Sequence, residues 1–170
     1  SRMAMSFGAS IGILILFLVL IIEADKYKIF KYLITIIVCI MVMLNAMFYI
    51  ISSSENISTN YLDRNIAKTI INEIYNYQEE TGIIVENIGL TFDKNPMSNY
   101  DGQRWLGVSN TRSMGIDWAA IETIEFYSGN KFNKIDVPDK YKEGLSQRDW
   151  NFFDKEQLNF DGNNLYICLY

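Results

Sequence analysis

From Met3 to Ile22 the chain runs twenty residues without a charge, and from Tyr32 to Ser54 it does so again for twenty-three. A helix rises about 1.5 Å per residue, so roughly twenty apolar residues match the ~30 Å hydrocarbon core of a bilayer. Two transmembrane helices are therefore expected, at about residues 3–22 and 32–54. Ile11 to Ile22 is almost entirely Ile, Leu, Val and Phe and lacks the polar face of a soluble surface helix. A cleaved signal peptide fits poorly, because the run is long, no A-x-A-like site follows it, and a second run comes at once. The opening Ser-Arg-Met is unlike a natural start for such a segment, and the chain reads as the tail of something longer.

Between the runs lies Glu23-Ala-Asp-Lys-Tyr-Lys-Ile-Phe-Lys31, too short for a domain, so the two helices are expected to form a hairpin. Its three lysines place the loop in the cytoplasm by the positive-inside tendency. Residues 61–170, joined by a polar linker at 55–60, would then form an extracytoplasmic domain. Arg64 and Lys68, close to the second run, pull the other way. Asn45 is a strongly polar side chain deep in that run. An amide in lipid usually finds its partner on a neighbouring helix, which points to upstream transmembrane helices.

Charge divides with the chain. Residues 1–54 hold four basic and two acidic groups, net +2, whereas 55–170 hold eleven basic and eighteen acidic groups, net −7. Such a domain repels phosphate backbones, which excludes nucleic acid as a partner. Histidine is absent, which removes the Ser-His-Asp triad, the Cys-His pair and His-ligated zinc. Cys39 lies in the second run and Cys168 near the end, so neither a disulfide framework nor a CxxC metal site is available. No cofactor is evident.

In the domain, Leu62, Ile66, Ile70, Ile74 and Tyr77 recur at helical spacing. Thr59 or Asn60 is the expected cap, Asp63 suits the first-turn dipole, and Gly82 is the stop. Ile83 to Phe92 is β-like and ends at a turn, Asp93-Lys-Asn-Pro96. Asp117 to Gly129 reads as a second helix capped by Asp117, with Ile121, Ile124 and Tyr127 inward and Glu122 and Glu125 on a solvated face. A short helical turn is expected near Asp139 to Gly144, and two β-prone runs around Asp161-Gly162 form a C-terminal hairpin. The expected fold class is a two-helix transmembrane hairpin followed by a small α+β domain.

Recognition-type residues are densest between Asp93 and Met114. Tyr100, Asp101, Arg104, Trp105 and Arg112, with Trp118 opening the next helix, form a set suited to sugars. Aromatic faces cover a pyranose ring while Asp and Arg satisfy its hydroxyls. Core packing by the aromatics and solvation of the charges is the competing reading.

Several short motifs carry a resemblance. Tyr61, Asp63 and Ala67 open an isoleucine-rich helix, followed by Thr81-Gly82, Asp93-x-Asn95-Pro96, Asn110-x-Arg112, Asp117-Trp118 and Phe126-Tyr127-Ser128-Gly129. This pattern resembles the C-terminal region of GtrII-type bacterial glucosyltransferase-domain membrane proteins, over both runs and the domain. The resemblance implies a multi-pass enzyme of the cell membrane that moves glucose from a polyprenyl-phosphate carrier to a cell-surface glycan. Its catalytic residues would lie in loops upstream of these 170 residues, so none is assigned here. The alternatives are a two-span protein whose outer domain is a non-catalytic binding module, and carboxylate-pair glycoside hydrolysis by the domain itself.

Overall fold

The computed structural model describes residues 12, 28–94, 112–150 and 152–170. The chain divides into two compact units, Ser1–Ser54 and Glu55–Tyr170. Its first described helix, α1, runs without interruption over Lys28–Thr81. The run 3–22, and with it the expected transmembrane hairpin, lies outside the described residues except for Gly12.

In the first unit, α1 carries the second apolar run. Leu33, Ile36, Ile40, Met43, Leu44, Met47 and Ile50 are all exposed, so the helix is apolar around its circumference. It is long and apolar enough to cross a membrane. Asn45 Nδ2 donates to the Met41 carbonyl at 2.8 Å. The amide thus finds a partner one turn back in its own helix, and Asn45 by itself does not call for a neighbouring helix.

The expected linker at 55–60 is instead helical. Its serines and asparagines are modest helix formers, but no Gly or Pro occurs between Lys28 and Thr81, so nothing forces a break. Thr59 and Asp63 are accordingly not a cap and a first-turn acid, but buried residues in mid-helix.

The second unit is α+β. After α1 come β1 (Asn87–Phe92), a 3-10 turn (Ser113–Gly115), α2 (Asp117–Ser128), β2 (Asn133–Ile135), α3 (Asp139–Leu145), a second 3-10 turn (Lys155–Gln157), β3 (Leu158–Asp161) and β4 (Asn164–Leu169). The sheet order is β2-β1-β4-β3. β1 lies parallel to both β2 and β4, and β3 pairs antiparallel with β4 in the expected hairpin, with Asp161 opposite Asn164. The α1 and α2 stops fall at Gly82 and Gly129, both at φ 72°, where a left-handed residue ends a helix. The N-cap of α2 is Ile116 rather than Asp117, whose carboxylate pairs with Lys134.

One face of the sheet meets the two long helices. Ile66, Ile70 and Ile74 of α1 and Ile121 and Ile124 of α2 cluster with Ile88, Leu165, Ile167 and Leu169. Each such side chain contributes about 1.5–3 kcal/mol on burial. Tyr77 closes the edge, stacked on Phe160 at 4.4 Å and donating to the Gly162 carbonyl at 3.0 Å. The opposite face takes α3: Tyr141 stacks on Tyr166, and the Cys168 thiol lies 3.6 Å from the Leu145 carbonyl. Burial pushes that thiol up to about 12, with Asp93 adding to the effect, so Cys168 behaves as a small apolar side chain.

Gly89 makes this second face possible. A Cβ there would stand 2.9 Å from the Tyr166 ring, 3.0 Å from Val137 and 3.2 Å from the Ile135 carbonyl. Gly89→Ala is expected to cost about 1–3 kcal/mol through overpacking, read as a lowered denaturant midpoint at unchanged m-value.

Candidate functional site

Two helices build a shallow groove of about 450 Å³ on the second unit. Trp118, Glu122 and Phe126 recur every four residues, which stacks them along one face of α2. All three are exposed, Trp118 at 66% and Phe126 at 78%. Tyr127, expected to face inward, is instead exposed and joins them with its ring 5.1 Å from that of Phe126, edge to face. From α1 come Asn60 and Asp63, three apart on one face, and Ser113, Ala119 and Thr123 complete the lining. Three exposed rings thus gather at the groove.

The floor is fixed by hydrogen bonds. Asp63 Oδ2 accepts the Ser113 backbone N–H at 2.6 Å, joining α1 to the turn that precedes α2. Thr123 donates to the Ala119 carbonyl at 2.7 Å, which leaves its oxygen as an acceptor. At the rim, the Arg64 guanidinium sits 5.8 Å from the centre of the Tyr127 ring.

Beyond the groove, the far end of α2 is tied down by Glu125. Its carboxylate accepts from the Lys131 ammonium and, at 3.0 Å, from the Phe132 N–H. These bonds, Lys131 first, hold the Glu125 carboxyl below its ordinary value. A depressed folded-state pKa contributes stability above the unfolded value of about 4.5, lost as pH falls through the folded value. Glu125→Gln is therefore expected to flatten the loss of melting temperature between pH 6 and the acid limb, at a cost below about 1 kcal/mol at neutral pH. The expected solvated Glu122–Glu125 face is thus divided: Glu122 opens to the groove, while Glu125 is committed to Lys131 and Phe132.

Of the residues expected to contact sugar, Tyr100, Asp101, Arg104 and Trp105 lie outside the described residues. Trp118 lines the groove. Arg112 does not: it is fully buried, its Nη1 donates to the Tyr170 backbone oxygen, and its guanidinium lies 4.4 Å from the centre of the Tyr170 ring. A planar cation between a ring and a carbonyl is held by the fold and is closed to a ligand.

Asn60, Asp63, Glu122, Phe126 and Tyr127 were not expected to share a site. The stripe Trp118-x3-Glu122-x3-Phe126 was a legible signal, since it sets two rings and a carboxylate opposite Ile121 and Ile124 on an amphipathic helix. The pairing of Asp63 with Ser113, fifty positions apart, had no local signature. No protein-family model, curated protein or solved structure matches the chain.

Proposed function

We propose that the chain is the membrane-anchored C-terminal portion of a glucosyltransferase that handles polyprenyl-linked sugar, with the Glu55–Tyr170 unit holding a glycan. The observation that carries this reading is the groove, in which Trp118, Phe126 and Tyr127 offer ring faces beside Asn60, Asp63 and Glu122. Ring faces cover the apolar side of a pyranose, and fixed oxygens orient its hydroxyls. The motif resemblance to GtrII-type proteins supports the same reading, as does the apolar length of α1. The lysines at 26, 28 and 31 favour a cytoplasmic loop between two spans and an extracytoplasmic glycan-facing unit.

The groove is built for holding rather than for bond cleavage. Asp63 is buried and already accepts the Ser113 N–H, so Asp63 and Glu122 do not form an open pair of carboxylates. Chemistry on this reading belongs to residues elsewhere in the enzyme. A non-catalytic glycan-binding module would use the same groove in the same way.

Trp118→Ala tests the proposal. Losing roughly 50 Å² of ring-to-sugar cover at about 25 cal/mol per Å² removes on the order of 1.3 kcal/mol, or about tenfold in affinity. In membranes carrying the protein, glycan retention is expected to fall by that factor at unchanged protein level, and glucose transfer with it. Loss of retention without any transfer in the parent membranes selects the binding module. Unchanged retention overturns the glycan role of the groove.

A further inference from the structure

We infer that Arg64 is a positioning residue of the groove: its guanidinium holds the Tyr127 ring at the rim and so sets the grip on a sugar that it does not itself touch. This rests on the sugar reading of the groove and adds to it a residue from outside the lining, which includes Tyr127 but not Arg64. Tyr127 follows Ile124 by three positions and Ala120 by seven, which places its Cα on the inward stripe of α2. Ala120 and Ile124 are fully buried, yet the Tyr127 ring is 38% exposed. The Arg64 guanidinium, 5.8 Å from the ring centre, is the partner that keeps it there. A ring face is electron-rich, so a cation over it is attracted.

Asp63 and Arg64, consecutive on α1, thereby hold α2 at two points. Asp63 takes the Ser113 N–H just before α2 begins, and Arg64 takes a ring in its last turn. Lys131, Lys134, Arg148 and Lys155 each pair with a carboxylate. Arg64 is exposed and forms no ion pair among the described residues, so its contact with Tyr127 is not the by-product of a salt bridge. A ring fixed before binding loses less rotamer freedom when a ligand packs on it, which raises affinity without a new contact.

The test uses the full chain in detergent micelles, labelled with 5-fluorotryptophan, with the Trp118 fluorine resonance assigned by its loss in Trp118→Phe and titrated with maltotriose. Arg64→Gln, at an exposed position, is expected to weaken maltotriose about two- to fivefold at unchanged far-UV circular dichroism, the worth of a cation over an exposed ring. Arg64→Lys keeps a cation and is expected to recover part of that loss. Tyr127→Leu removes the ring, and adding Arg64→Gln to it is expected to change nothing further. An equal loss from Arg64→Gln with and without the Tyr127 ring means that Arg64 meets the sugar directly, which overturns the positioning role while the sugar reading stands. Unchanged affinity in Arg64→Gln overturns it in the same way. If maltotriose leaves Trp118 unmoved in the parent chain, the sugar reading falls and the positioning role falls with it.

Discussion

Arg112→Ala is expected to destabilise the Glu55–Tyr170 unit by about 3–5 kcal/mol. A charge-assisted hydrogen bond is worth about 1.5–3 kcal/mol, and a desolvated cation over a ring about 2 kcal/mol. Both are lost together, because Nη1 donates to the Tyr170 backbone oxygen while the guanidinium lies over the Tyr170 ring. Truncation also leaves a void beside Tyr170, a residue of the buried cluster. Arg112→Lys keeps the charge but not the plane, so it recovers only part of the loss. Denaturant unfolding of the full chain in detergent, followed by far-UV circular dichroism, reads the effect. A variant that unfolds like the parent would return Arg112 to the surface role its residue type suggests.

Arg112 illustrates where sequence reasoning stops. Arginine is seldom fully buried, so an arginine in a polar, aromatic stretch reads as a ligand contact. Its burial depends on Tyr170, fifty-eight positions away, and no local pattern records that partnership. By contrast, local signals placed most of the domain's elements. The row Ile66, Ile70, Ile74 and the stop at Gly82 located the end of α1, and Ile121 and Ile124 with Gly129 located α2. The Asp161-Gly162 pair located the hairpin. β2 was missed, since Asn133-Lys-Ile135 is three residues long with two of them exposed. It becomes a strand only because β1 lies alongside it. The helical conformation of 55–60 has the opposite cause. Serines and asparagines suggest a break, but helix already extends on both sides and propagation costs little once started.

Substituting Leu44, near the middle of the Tyr32–Ser54 run, by arginine is expected to shift membrane insertion of that segment by about 3 kcal/mol, more than a hundredfold in equilibrium. The run owes its apolar character to side chains that are exposed on every side of α1, Leu44 among them. In lipid such side chains are solvated at no cost, and a guanidinium at mid-depth has to snorkel or thin the bilayer. In water the balance reverses, because a helix apolar all round would gain solubility from the same arginine. Carbonate extraction of membranes, with protease protection of the Glu55–Tyr170 unit, separates the two cases. Insertion predicts that Leu44→Arg changes the protease protection of the Glu55–Tyr170 unit, while the uncharged run at 3–22 keeps the chain in the extraction-resistant fraction. Ile57→Arg is the control, since Ile57 is equally exposed but lies past the uncharged run. It is expected to leave the protease protection unchanged, because the cost of a charge depends on depth, and the depth of this helix is set by where its uncharged run begins and ends.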